Sequence, residues 1–197
     1  MRAAGVGATR REVLLGGAAA LAGTVAVPSV ASAASGGDQA LLMQALEAER
    51  LVVWVYERVL GTGLISPTLR AELVSILGHE REHVALLDGL LRLSGGARAD
   101  GGLSLRAARE QLARHHVAAD PRRLRTQHDC LKLLVDTESL IEAVWFRAVA
   151  HLQDPALAGT GARVMACEAQ HWTVLSLRSQ HGDPKRAVPY AFVRGSA

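Results

Sequence analysis

Residues Leu69 to Leu93 read LRAELVSILGHEREHVALLDGLLRL, and the fold turns on which way Glu80 and His83 point. Leu69, Leu73, Ile76, Glu80, His83, Leu87 and Leu90 follow one another at alternating steps of 4 and 3. That is the spacing of one stripe on a helix packed in a bundle. Two ionisable side chains therefore lie inside an apolar seam. A second stretch repeats the pattern: Leu157, Gly161, Val164, Glu168, His171 and Leu175 carry Glu and His at the same phase. Two unrelated surface charges are not expected to share a phase twice.

At 197 residues the chain is expected to form one domain with a sizeable core. Only 4% of the residues are aromatic, and Ala, Leu and Arg dominate, which favours helices over a β-sandwich. Arg10 and Arg11 precede an apolar run from Val13 to Val27 and a small-residue site, Ala31-Ser32-Ala33. Residues 1–33 therefore read as a secretory signal of twin-arginine type, with an ordinary secretory signal as the alternative. The expected location is across the cytoplasmic membrane, in the periplasm or outside the cell, with 34–197 as the folded domain and a short C-terminal tail.

The apolar run is shorter than the ~20 residues a span needs, and no Cys follows it, so no stable membrane anchor is expected. Loss of Arg2, Arg10, Arg11 and Glu12 with the signal removes +2 from a net charge of +3, leaving +1. No nucleic-acid partner is expected at that charge, and Arg122, Arg123 and Arg125 read as a solvated loop.

Four long helices follow. Asp38 can cap the first, over about 39–60, and Pro67 suits the first turn of the second, which runs to Leu93. Residues 94–127 form a long connection with a short helix around Leu103 to His116. The third long helix covers His128 to Leu152 and the fourth runs to about Gln180. The tail HGDPKRAVPYAFVRGSA has no clear period and is expected to pack across the bundle or lie partly loose. The fold class is all-α: a four-helix bundle with one long crossover between helices 2 and 3.

ERLVVWVYERV from Glu49 aligns with ESLIEAVWFRA from Glu138, and the next core Glu follows 31 and 30 residues later. The halves read as two copies of one helical hairpin about a pseudo-twofold axis. The first-helix stripe is Leu42, Ala45, Glu49, Val52, Tyr56 and Val59; the third is Leu131, Leu134, Glu138, Ile141, Trp145 and Ala148. The inward set is then Glu49, Glu80, His83, Glu138, Glu168 and His171. Four carboxylates in a dry core repel one another and resist desolvation. With two neutral imidazoles they total −4, which two divalent cations balance. Carboxylate with imidazole suits iron or manganese, whereas thiolate suits zinc or copper. Glu80 and Glu168 are placed to bridge, His83 and His171 to cap one metal each, and Glu49 and Glu138 to complete the outer positions.

One Glu on each of two helices, with EREH and EAQH on the others, resembles the ferritin-like carboxylate-bridged di-metal proteins over about residues 38–180. The paired motifs look closer to the rubrerythrin, bacterioferritin and di-iron oxidase branches. The resemblance implies two iron ions, or manganese, and oxidase, ferroxidase or peroxide-reducing chemistry on dioxygen or peroxide. Metal binding without turnover, or a metal-free scaffold acting as a structural or interaction module, stand as alternatives. A homodimer is compatible with the resemblance. No Cys-x-x-Cys pair is present for a rubredoxin-like site, and no Met is placed for haem.

Glu142 and Asp136 are alternatives to Glu138, and Glu47 to Glu49. Glu142, Asp136 and Glu47 fall off the seam by phase. Tyr56 and Trp145, each seven residues after its Glu, read as core aromatics, with Tyr56 suited to bonding a carboxylate. His79, His115, His116 and His128 read as surface or loop residues, and His151 and His181 as helix-end cations. With Glu138 and Glu168 level on antiparallel helices, Cys130 and Cys167 lie about 13 Å apart along the axis, too far for a disulfide. Two free, mostly buried thiols are expected, off the metal-facing stripe.

Overall fold

The computed structural model describes residues 35–95 and 102–187, all within the compact unit Ser32–Ala197. The arginine pair, the proposed cleavage site and the tail beyond 187 lie outside the described residues. Six helices are described: α1 Gly36–Leu60, α2 Pro67–Leu93, α3 Leu105–Arg114, α4 Gln127–His151, α5 Pro155–Ser179 and the single turn α6 Pro184–Ala187. No strand occurs among the described residues. The all-α bundle with its long α2–α4 crossover is therefore present, and no described helix is long and apolar enough to cross a membrane.

Local chemistry explains the helix starts. Ser35 Oγ accepts from Asp38 N at 3.1 Å, so Ser35, not Asp38, caps α1. Asp38 is buried and reaches across the bundle: its carboxylate accepts from Gln153 N at 2.8 Å and Asp154 N at 3.1 Å, where α4 turns into α5. Pro67 opens α2. Thr126 and Asp129 make a reciprocal capping box at α4, and Asp154 caps α5 ahead of Pro155.

The short links make two antiparallel hairpins, α1–α2 and α4–α5, and α1 packs on α4 to join them. Cross-helix contacts give the direction: Tyr56 meets Glu138, and Glu49 meets Trp145, so α1 and α4 are antiparallel. On the other side α5 reaches α2 through Arg178, whose Nε donates to Glu72 Oε2 at 2.9 Å. The crossover lies along α1, where α3 buries Ala108 and Leu112 and Arg58 Nε donates to Pro121 O at 3.2 Å. Within the basic loop Arg122 holds Asp120 in a forked ion pair. The start of the tail folds back on α5: Ala187 is fully buried and its carbonyl accepts from Ser176 Oγ at 3.0 Å.

The core is Leu, Val, Ile and Ala from all four long helices, with Tyr56 and Trp145 the largest fully buried side chains. Gly161 marks a close approach of the α5 backbone to side chains of α4. A Cβ there would lie 3.1 Å from Trp145 Cζ3 and 3.1 Å from Val149 Cγ2. Leu73 stands at the pseudo-symmetric place opposite the smaller Tyr56. The missing side chain makes room for the indole.

Candidate metal centre

The structure brings all six inward residues together between the hairpins. Glu49, Glu80, Glu138 and Glu168 are fully buried, and His83 and His171 nearly so. His83 Nδ1 lies 2.7 Å from Glu168 Oε1, 3.6 Å from Glu80 Oε2 and 3.7 Å from Glu49 Oε2. His171 Nδ1 lies 2.7 Å from Glu80 Oε1, 3.3 Å from Glu168 Oε2 and 3.9 Å from Glu138 Oε2. Each imidazole thus sits nearest the glutamate of the facing helix.

Two ligand groups result, each with its donor atoms within 4.8 Å of one another: Glu49, Glu80, His83, Glu168, and Glu80, Glu138, Glu168, His171. Glu80 and Glu168 belong to both. The outer glutamates are held from behind, and the hold crosses the axis. The Tyr56 hydroxyl donates to Glu138 Oε1, and Trp145 Nε1 donates to Glu49 Oε1 at 2.7 Å. Each aromatic engages one oxygen and leaves the other, Glu138 Oε2 or Glu49 Oε2, facing the centre without a hydrogen-bond partner.

Both Glu80 oxygens, Glu168 Oε1 and His83 Nδ1 also lack a hydrogen-bond partner, although several lie within 3 Å of one another. They lie among the ligand atoms that gather within 4.8 Å of one another. Buried polar groups are normally paired, so such a convergence of unpaired donors fits cations.

Proton balance follows from burial and proximity. Burial, then the charges of Glu168 and Glu80, push Glu49 well above its ordinary carboxyl value, against the opposing pull of the nearby His83 imidazole. Burial and the same two neighbours raise Glu138. Glu168 goes the other way: burial opposes ionisation, but the close approach of the His171 and His83 imidazoles holds it down to about 2. Burial disfavours charge on both imidazoles, yet contacts to Cys167 and Glu168 outweigh it, raising His171 to about 12 and His83 further. Protons on Glu49, Glu138, His83 and His171 thereby offset the charge of the cluster.

Three neighbours differ from the sequence expectation. Glu142 is buried, not off the core, and burial followed by the Glu168 charge raises its carboxyl to about 7; it joins neither ligand group. His79 is exposed but touches the cluster, its Nδ1 3.0 Å from His171 Nε2. Cys167 is free as expected but half-buried, and its Sγ lies 3.4 Å from the same nitrogen. Burial opposes its ionisation, but bonds to His171 and His83 bring the thiol down to about 7. His79 and Cys167 each stand one residue before a shared glutamate, and aligning the hairpins on Glu80 and Glu168 would have paired them. Cys130 is buried beside Thr62. Asp136 pairs with Lys132 at 2.7 Å, and Glu47 is exposed.

The model of a family described as a ferritin-like domain matches residues 37–180, which spans all four long helices and the six cluster residues. No curated protein and no solved structure matches the chain.

Proposed function

Because this chain belongs to the ferritin-like domain family, we propose that its Glu/His cluster holds two iron ions, with manganese as the alternative. The observation that carries the reading is the pair of overlapping ligand groups sharing Glu80 and Glu168, with unpaired oxygens turned inward. In this reading Glu80 and Glu168 would serve both ions, Glu49 and His83 would help hold one, and Glu138 and His171 the other. Carboxylate and imidazole donors match these metals. Bound iron would supply electrons for reducing dioxygen or peroxide. The chain's own part is to orient the carboxylates through Tyr56 and Trp145, to keep bulk water from the buried oxygens, and to hold or release protons at Glu49, Glu138, His83 and His171 as cations leave or enter.

Metal analysis after loading with Fe(II) or Mn(II) tests the site. The expected content is two ions per chain, falling well below two in Glu80→Ala and Glu168→Ala. Both variants should stay folded, because each removes a repelling carboxylate from the core. Protein that takes up neither metal would instead be a scaffold. Activity is read separately, as Fe(II) oxidation in air faster than in buffer. Binding at the buffer rate of oxidation would make this a metal-binding protein without turnover.

Export by the twin-arginine route belongs to the same proposal and is supported by Arg10-Arg11 and the apolar run behind them. That route carries folded proteins, which suits a bundle loaded with metal before leaving the cytoplasm. Changing both arginines to lysine should leave precursor in the cytoplasm; undiminished export would indicate a general secretory signal.

A further inference from the structure

His171 turns one ring nitrogen to the carboxylates and the other away from them. The outward Nε2 is 3.0 Å from His79 Nδ1 and 3.4 Å from Cys167 Sγ, and the three atoms lie within 4.8 Å of one another. We propose that His79, Cys167 and His171 Nε2 form a second metal site beside the carboxylate cluster, taking one divalent cation of the zinc class.

Geometry and donor chemistry both support it. Tetrahedral zinc with Zn–N near 2.0–2.1 Å and Zn–S near 2.3 Å places its ligand atoms about 3.3–3.6 Å apart. The observed separations are within a few tenths of an ångström of that. The two imidazole planes are nearly parallel, 13° apart with centroids 5.3 Å apart, and the nearest nitrogens of the two rings lie 3.0 Å from each other. The exposed His79 ring is free of core packing and could tilt to turn its lone pair to a shared cation. A thiolate with two imidazoles selects zinc-like ions, whereas the carboxylate-rich centre suits iron or manganese.

The burial gradient gives the site a mouth. His79 is exposed, Cys167 half-buried and His171 buried. Three protein ligands on a solvent-facing edge leave a fourth tetrahedral position for water. The thiol is the only one in reach, since Cys130 lies against Thr62 on another part of the bundle. Cys167 also contacts His83, so the site abuts the carboxylate cluster along both its imidazoles. His171 is a ligand in the function proposed above, so with both sites filled it would bridge them as an imidazolate, both ring protons lost to solvent. His79 and Cys167 are not ligands there, and their variants separate the two sites experimentally.

Cobalt(II) is the probe, because thiolate ligation gives an intense near-ultraviolet charge-transfer band that carboxylate and imidazole do not. Titrating the intact protein with cobalt should produce that band, and zinc should abolish it by displacement. The band should persist in Cys130→Ser, vanish in Cys167→Ser, and require roughly tenfold or more additional cobalt in His79→Ala. Glu80→Ala should keep the band while lowering the total cobalt bound, and that total reports on the carboxylate centre independently. Absence of the band in cobalt-bound wild-type protein, its survival in Cys167→Ser, or an unchanged titration in His79→Ala would overturn the site. So would its loss in Glu80→Ala, which would put the thiolate inside the carboxylate centre.

Discussion

Tyr56 and Trp145 show how single residues carry the site. Each lies on the same helix as one outer glutamate but donates to the other: Tyr56 to Glu138 and Trp145 to Glu49. Removing either donor strands a fully buried carboxylate oxygen, which costs roughly 1–3 kcal/mol. The loss should appear on the opposite helix. Tyr56→Phe is expected to weaken the metal position of Glu138 and His171, and Trp145→Phe that of Glu49 and His83. Each should lower the affinity of one of two ions by roughly 10–100-fold, read by chelator competition as one weak and one retained ion. Equal weakening of both ions by each variant would reject the crossed assignment. The six cluster residues were legible because their seven-residue stripe stands out against apolar neighbours. The crossed hydrogen bonds were not, because they depend on the register of α1 against α4.

At the scale of elements, illegibility follows from how many neighbours a helix has. The stripe rule assumes one buried face. α4 is sandwiched between α1 and α5, and Thr137, Glu138 and the run Leu140 to Trp145 are all buried. Glu142 therefore enters the core despite falling off the stripe. Asp38 is a similar case: its position suited a cap on its own helix, but no local pattern shows a partner 115 residues away. It ties the first turn of α1 to the α4–α5 turn with two hydrogen bonds from backbone N–H groups to a buried carboxylate. Asp38→Ala should lower stability by about 2–3 kcal/mol, measured by urea unfolding, with metal stoichiometry unchanged. Gly161→Ala tests the close approach at Trp145. Ala is the better helix former by roughly 0.5–1 kcal/mol, but crowding against the indole should outweigh it and give a net loss of about 1–2 kcal/mol. A stabilised Gly161→Ala protein would show that Trp145 can move without cost, and with it the bond to Glu49.

For the whole molecule, the centre exists only where two half-sites meet, so folding gathers charges that the unfolded chain keeps apart. This sets the pH dependence of stability. Glu168 is held to about 2 in the fold against an ordinary 4.5, so the unfolded chain binds more protons between those values and stability rises with pH. Asp120 and Asp129, both lowered from 3.8, act in the same sense at low pH. Above 4.5 the direction reverses. Glu49 and Glu138 stay protonated in the fold while their unfolded counterparts ionise, so the fold binds more protons and loses stability as pH rises. Above 6.5 His83 and His171 join them: their contribution is complete below 6.5 and is lost as pH climbs towards their raised folded values. Chelator-treated protein should therefore be most stable at about pH 4–5, with Tm falling from about pH 5 to 8. Binding two divalent cations at neutral pH would displace about four protons, two from the imidazoles and two from Glu49 and Glu138. Metal affinity should then increase with pH, and the Tm gained on loading should widen over the interval in which the chelated protein weakens. Calorimetry with and without chelator reads the first effect, and proton release in weakly buffered titrations reads the second. A chelated protein whose Tm climbs from pH 5 to 8, or loading that releases no protons, would mean that protons do not balance this cluster.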